Sequence, residues 1–78
     1  MKEKVVCLVN EDTRSHLCVS IEGINKQGAS TVRKPWRYLV HVWGEGSGAT
    51  FANKKDALDR FYKKIGYLVA HGYVVEKV

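Results

Sequence analysis

Ala52-Asn53-Lys54-Lys55-Asp56-Ala57-Leu58-Asp59-Arg60-Phe61-Tyr62-Lys63-Lys64-Ile65-Gly66-Tyr67-Leu68-Val69-Ala70-His71-Gly72-Tyr73-Val74-Val75-Glu76-Lys77-Val78 decides the fold, because it reads as one capped amphipathic helix running into a strand. Ala57, Leu58, Phe61, Ile65, Leu68 and Val69 recur at the three-and-four spacing of a helix face, and Arg60, Lys63 and Lys64 fall on the opposite side. Asn53 is the expected N-cap. Asp56, three positions later, makes a capping-box variant and adds negative charge to the first turn. Two glycines compete for the stop. Gly66 would end the helix at Ile65 and leave a hairpin around His71-Gly72, whereas Gly72 would follow the last turn as a C-terminal cap residue. The apolar phase continues through Leu68 and Val69 and selects the longer helix. Tyr73 to Val78 reads as a strand in either case.

Upstream, the pattern is that of strands. Lys4 to Val9 is short and β-branched, and Asn10 to Thr13 breaks it with turn-forming side chains. His16 to Glu22 alternates, putting Leu17, Val19 and Ile21 on one face and His16, Cys18, Ser20 and Glu22 on the other. Gly23 to Lys34 reads as a long mobile loop, and Pro35 stands before a third strand, Trp36 to Trp43. Gly44 to Gly48 is a hairpin turn, with Ala49 to Phe51 as a short return strand. The expected fold is therefore α+β, in the order β-β-β-(β)-α-β: a small antiparallel meander of three to five strands with one long helix on one face. Its expected core is Val6, Leu8, Leu17, Val19, Ile21, Tyr38, Val40, Phe51, Leu58, Phe61, Ile65 and Leu68.

Seventy-eight residues make a single small domain, 1–78, that buries about 60 to 65% of the surface exposed by its unfolded chain. Apolar residues make up 45% of it, which exceeds what a disordered tail carries. The net charge of +5 favours a polyanionic partner, nucleic acid above all. No apolar stretch reaches the length of a signal peptide or a membrane span, so the chain reads as cytoplasmic and without a membrane partner. On that reading Cys7 and Cys18 are reduced thiols.

The chemistry-bearing constellations are sparse. Gly44, Gly46 and Gly48 lack the Lys and Ser or Thr of a Walker loop and the βαβ setting of a dinucleotide fingerprint, and Glu45 would repel phosphate. Cys7, His16, Cys18, His41 and His71 are the available metal ligands. No Cys-x-x-Cys or His-x-x-x-His pair organises them, so no metal or other cofactor is expected. Cys18 with His41, or Ser47 with a histidine, is no more than a coincidence of residue types, and an enzyme is not expected.

The third strand carries more. Trp36, Tyr38, Val40 and Val42 alternate onto a core-facing side, leaving Arg37, Leu39, His41 and Trp43 on the other. If the helix covers only the first side, the second is an open surface suited to stacked bases and phosphates. The competing arrangement buries Leu39 and Trp43 instead, or folds Trp43 over the glycine hairpin. Arg33-Lys34-Pro35-Trp36-Arg37 sets three cations beside an aromatic, which suits a nucleic-acid backbone and equally an edge that discourages sheet pairing. Asp56 and Asp59 stand four residues before Arg60 and Lys63, each pair contributing about 0.2–0.5 kcal/mol, so the basic helix face reads mainly as solvated surface.

The order Trp43-Gly44, glycine loop, Phe51, Ala57, Phe61 and Gly72-Tyr73 resembles the landmarks of WGR domains between Trp36 and Tyr73. Glu45 stands where that family carries its arginine, and no residue role follows from the likeness. The expected function is a small non-enzymatic nucleic-acid-binding module using Arg33, Lys34, Trp36, Arg37, His41 and Trp43, with Lys63 and Lys64 in support. The alternative is a protein-binding adaptor or inhibitor of a host or of phage or mobile-element type, making no nucleic-acid contact. Exposed sheet edges would also allow a homodimer.

Overall fold

The computed structural model describes residues 2–31 and 33–77, so Met1, Val32 and the Val78 end of the expected last strand lie outside the described residues. The elements are β1 (Lys2–Asn10), β2 (Ser15–Ile24), β3 (Arg37–Trp43), β4 (Ser47–Phe51), α1 (Lys54–Ala70) and β5 (Val74–Lys77). The strands form one antiparallel sheet in the order β4-β3-β2-β1-β5, an α+β architecture as the alternation predicts. The first four strands are a meander. The fifth returns after the helix to pair with β1.

Asn53 caps α1, its side-chain oxygen accepting from the Asp56 N–H at 2.9 Å. The helix passes through Gly66 and stops where the chain reaches Gly72, whose φ of +94° is the left-handed conformation that a Cβ disfavours. Tyr73 N–H then donates to the Leu68 carbonyl at 3.0 Å and Gly72 N–H to that of Val69 at 3.2 Å, the pair of bonds that defines a Schellman ending. Asn10 ties this end to the sheet. Its Nδ2 donates to the His71 carbonyl, while its Oδ1 accepts from Asp12 N–H and Thr13 N–H and shapes the turn between β1 and β2.

The core lies between α1 and one side of the sheet. Leu8, Val19, Ile21, Val40, Val42, Ala57, Phe61 and Leu68 are buried, with Val6, Leu17, Tyr38, Phe51, Leu58, Ile65 and Tyr73 packed around them. Burying a side chain of the size of Leu, Ile or Phe stabilises the fold by about 1.5–3 kcal/mol. Every residue of the expected core is among these two sets.

Three expectations are corrected. Strands β1 and β2 run longer than their apolar runs suggest, because the ladder between them continues through polar ends such as Ser15 and Asn10, whereas β3 begins one residue later than expected, at Arg37. The segment after β2 is a hydrogen-bonded turn rather than a featureless loop: Asn25 Oδ1 accepts from Gln27 N–H and Ala29 N–H, and Ser30 bridges back to Ile24. Cys7 and Cys18 are not free thiols but a disulfide, because the β1–β2 register sets them directly opposite each other with Cα atoms 4.0 Å apart.

Candidate nucleic-acid interface

With α1 on one side, alternation fixes what emerges on the other. From β3 come Arg37, Leu39, His41 and Trp43; from β2 His16, Cys18, Ser20 and Glu22; from β1 Val5, Cys7 and Val9. Val40 and Val42 are the buried set of β3, so Leu39 and Trp43 are not core residues.

Trp43 is 45% exposed, yet its ring is held. The indole Nε1–H donates to Ser20 Oγ at 2.9 Å, and the His41 ring meets it edge-on with centroids 4.3 Å apart. Ser20 is almost fully buried, so the indole satisfies a hydroxyl that would otherwise be costly to enclose. The contact is diagonal across the ladder, since Ser20 lies opposite His41 and Cys18 opposite Trp43. Gly48 on β4 stands opposite His41 from the other side. A Cβ at that position would come within 3.2 Å of His41 Nδ1, so the bare backbone makes room for the ring that braces Trp43.

The other end of β3 is basic. The Arg37 guanidinium lies 5.2 Å from the centroid of the Trp36 ring, and Arg33 and Lys34 are exposed just before it. Trp36 is 49% exposed and precedes β3, which corrects its expected place on the core-facing side. Lys34, at a φ of +42°, and Pro35 turn the chain there, so strand alternation does not reach residue 36. Its backbone N–H donates to the Ile24 carbonyl at 2.8 Å, which fixes the segment beside the end of β2. Six residue steps of strand, about 20 Å, separate the Arg37 end from Trp43. Acidic groups on this face have partners: Glu22 accepts from Ser30 Oγ at 2.6 Å, and Glu76 Oε1 is 3.0 Å from His16 Nε2.

Lys63 and Lys64 are not brought to this surface. They lie on α1, across the sheet from Trp43, where Lys63 pairs with Asp59 at 3.3 Å and Lys64 with Glu45 at 3.3 Å. With Arg60 and Tyr67 they line a shallow hollow of about 220 Å³. The Glu45 carboxyl is held below the usual carboxylate range, first by the hydrogen bond it accepts from Ser47 Oγ at 2.5 Å and then by Lys64.

Of the five candidate metal-ligating residues, Cys7, His16 and Cys18 converge. His41 packs on Trp43, and His71 sits at the helix end with Nδ1 2.8 Å from the Tyr67 carbonyl. The Cys7–Cys18 bridge also removes Cys18 as a nucleophile for His41 while the disulfide is intact. What the sequence could not signal is cross-strand placement: Ser20 beneath Trp43, Gly48 beside His41 and Cys7 against Cys18 all depend on register. No helix among the described residues is long and apolar enough to cross a membrane. No known protein family, curated protein or solved structure matches the chain.

Proposed function

We propose that the chain is a small non-enzymatic module that binds single-stranded nucleic acid on the sheet face opposite α1. The observation that carries this reading is Trp43, exposed on that face and held by Ser20 and His41 before any ligand arrives. A ring already fixed in place loses little conformational freedom on stacking, and stacking on an aromatic contributes about 1–3 kcal/mol per base. Arg33, Lys34 and Arg37 supply phosphate contacts at the far end, with Trp36 as a second stacking surface. Lys63 and Lys64, across the sheet, are outside this interface.

Anisotropy titration of a labelled single-stranded oligonucleotide over a series of salt concentrations tests the reading. Three phosphate contacts give a log–log salt slope of about −2 for a single strand. Trp43→Ala weakens binding by about tenfold or more, and Lys63→Ala leaves it within twofold. No binding at low salt, or a Trp43→Ala variant that binds like the parent, removes the proposal.

One observation favours the second reading, a protein-binding adaptor or inhibitor. Strand β5 is an outer edge of the sheet and exposes Val74 and Val75, which suits strand addition by another chain, including a second copy of this one. Pull-down after nuclease treatment separates the two, since a partner held by strand addition survives loss of nucleic acid and one held through nucleic acid does not.

A further inference from the structure

The same uncovered face carries a second cluster, nearer β5. Cys7 and Cys18 face each other across β1 and β2, and His16 precedes Cys18 by two residues, so all three side chains leave the sheet on one side. Two Sγ atoms and one imidazole nitrogen there lie within 4.8 Å of one another. A fourth side chain completes the arrangement. The β1–β5 pairing passes from Cys7 with Lys77 to Leu8 with Val75, which makes Glu76 the extra residue of a bulge. From that bulge Glu76 reaches His16, with Oε1 3.0 Å from Nε2. A carboxylate accepting from Nε2–H leaves the lone pair of Nδ1 for a ligand, the pairing by which metal-binding imidazoles are oriented and made more basic.

We propose that the reduced Cys7 and Cys18 thiolates, together with His16, bind one zinc ion, and that the Cys7–Cys18 disulfide is the oxidised state of the same site, unable to bind it. Two thiolates and an imidazole are donors suited to zinc, whereas calcium and magnesium take oxygen ligands. The His16 and Glu76 side chains are about half exposed, at 55% and 52%, so solvent reaches the remaining coordination position. A purely structural bridge needs neither a histidine beside it nor a carboxylate to orient that histidine. The core that holds the sheet to α1 is on the opposite side and does not include the cysteines.

Opening the site takes an external dithiol. Its thiolate attacks the sulfur of one cysteine, the S–S bond breaks, and the other cysteine leaves as a thiolate. The second thiol of the reductant then closes its own disulfide and releases the first cysteine. Two electrons pass from the dithiol to the bridge, and the two cysteines take up two protons. Zinc displaces those protons when the thiolates coordinate.

The test uses the full chain, reduced with a dithiol and freed of it under anaerobic conditions, then titrated with zinc against a chromophoric chelator. Cobalt in place of zinc gives a second readout, thiolate-to-metal charge transfer and the strong visible bands of a tetrahedral ion. The expected result is one equivalent bound by the reduced chain and none by the oxidised chain. His16→Ala and Glu76→Gln, both at exposed positions, are expected to weaken binding by about 10- to 100-fold with an unchanged circular dichroism spectrum. A reduced chain that takes up no zinc, folded or not, overturns the proposal. So does His16→Ala binding with undiminished affinity, which would mean the histidine is no ligand.

Discussion

Gly66 is exposed in the C-terminal half of α1, and a Cβ built there meets nothing within 4 Å. Glycine in a helix interior is less favourable than alanine by about 0.5–1 kcal/mol, through the extra freedom of the unfolded chain. Gly66→Ala is therefore expected to stabilise the protein by about that amount, read as a higher urea midpoint with an unchanged slope. At Gly48, by contrast, a methyl group would sit 3.2 Å from His41 Nδ1, so the ring that braces Trp43 would have to give by a few tenths of an ångström. Residue type alone does not show which glycine has room for a methyl group, because that depends on what packs there: nothing at Gly66, and the His41 ring across the ladder at Gly48. Asn53 and Gly72 were legible, since their effects are local to the backbone they cap.

At the scale of elements, the β3–β4 hairpin and α1 are linked by an ion pair that neither segment announces. Glu45 lies in the glycine turn, and its carboxylate meets Lys64 from the helix as well as Ser47 from its own hairpin. A carboxyl whose pKa is depressed in the folded state contributes stability above its unfolded value of about 4.5, and that contribution is lost as pH falls through the lower folded value. Glu45→Gln is accordingly expected to flatten the acid limb of the stability profile below about pH 4.5, measured from denaturation midpoints at a series of pH values. The Glu45 side chain is 42% exposed, so added salt should shrink the difference between the two proteins. The elements themselves were readable from period: two in β2 and β3, three to four in α1. The meander pairing of successive strands was readable as well, but the register and the pairing of β5 with β1 were not, since alternation assigns a residue to a face without naming the residue opposite. That gap hid the Cys7–Cys18 contact. It also left both sides of β3 as candidates for the core, because aromatic residues alternate onto each.

For the molecule as a whole, α1 packs on one side of the five-stranded sheet, against β2, β3 and β4, and the other side holds the disulfide, His16, His41 and Trp43. The bridge closes a short loop, with a sequence separation of 11, and removing it is expected to cost about 2–3 kcal/mol through the freedom regained by the unfolded chain. Because Leu8, Val19, Ile21 and Phe61 pack on the far side, the reduced protein should lose stability while keeping its fold. Denaturation with and without a dithiol measures the loss, and near-ultraviolet circular dichroism reports whether the Trp43 environment persists.

The order β4-β3-β2-β1-β5 has a consequence for synthesis on the ribosome. β1 is made first, yet its outer neighbour is the last strand of the sheet to emerge, so the partners furthest apart in the chain complete the sheet. Until residue 77 has left the exit tunnel, the outer edge of β1 offers unpaired amides and carbonyls along Cys7, Leu8 and Val9, a template that a neighbouring nascent chain can extend. The pairing that finishes the native sheet thus also closes the interval in which crowding on a polysome would divert the chain into aggregates.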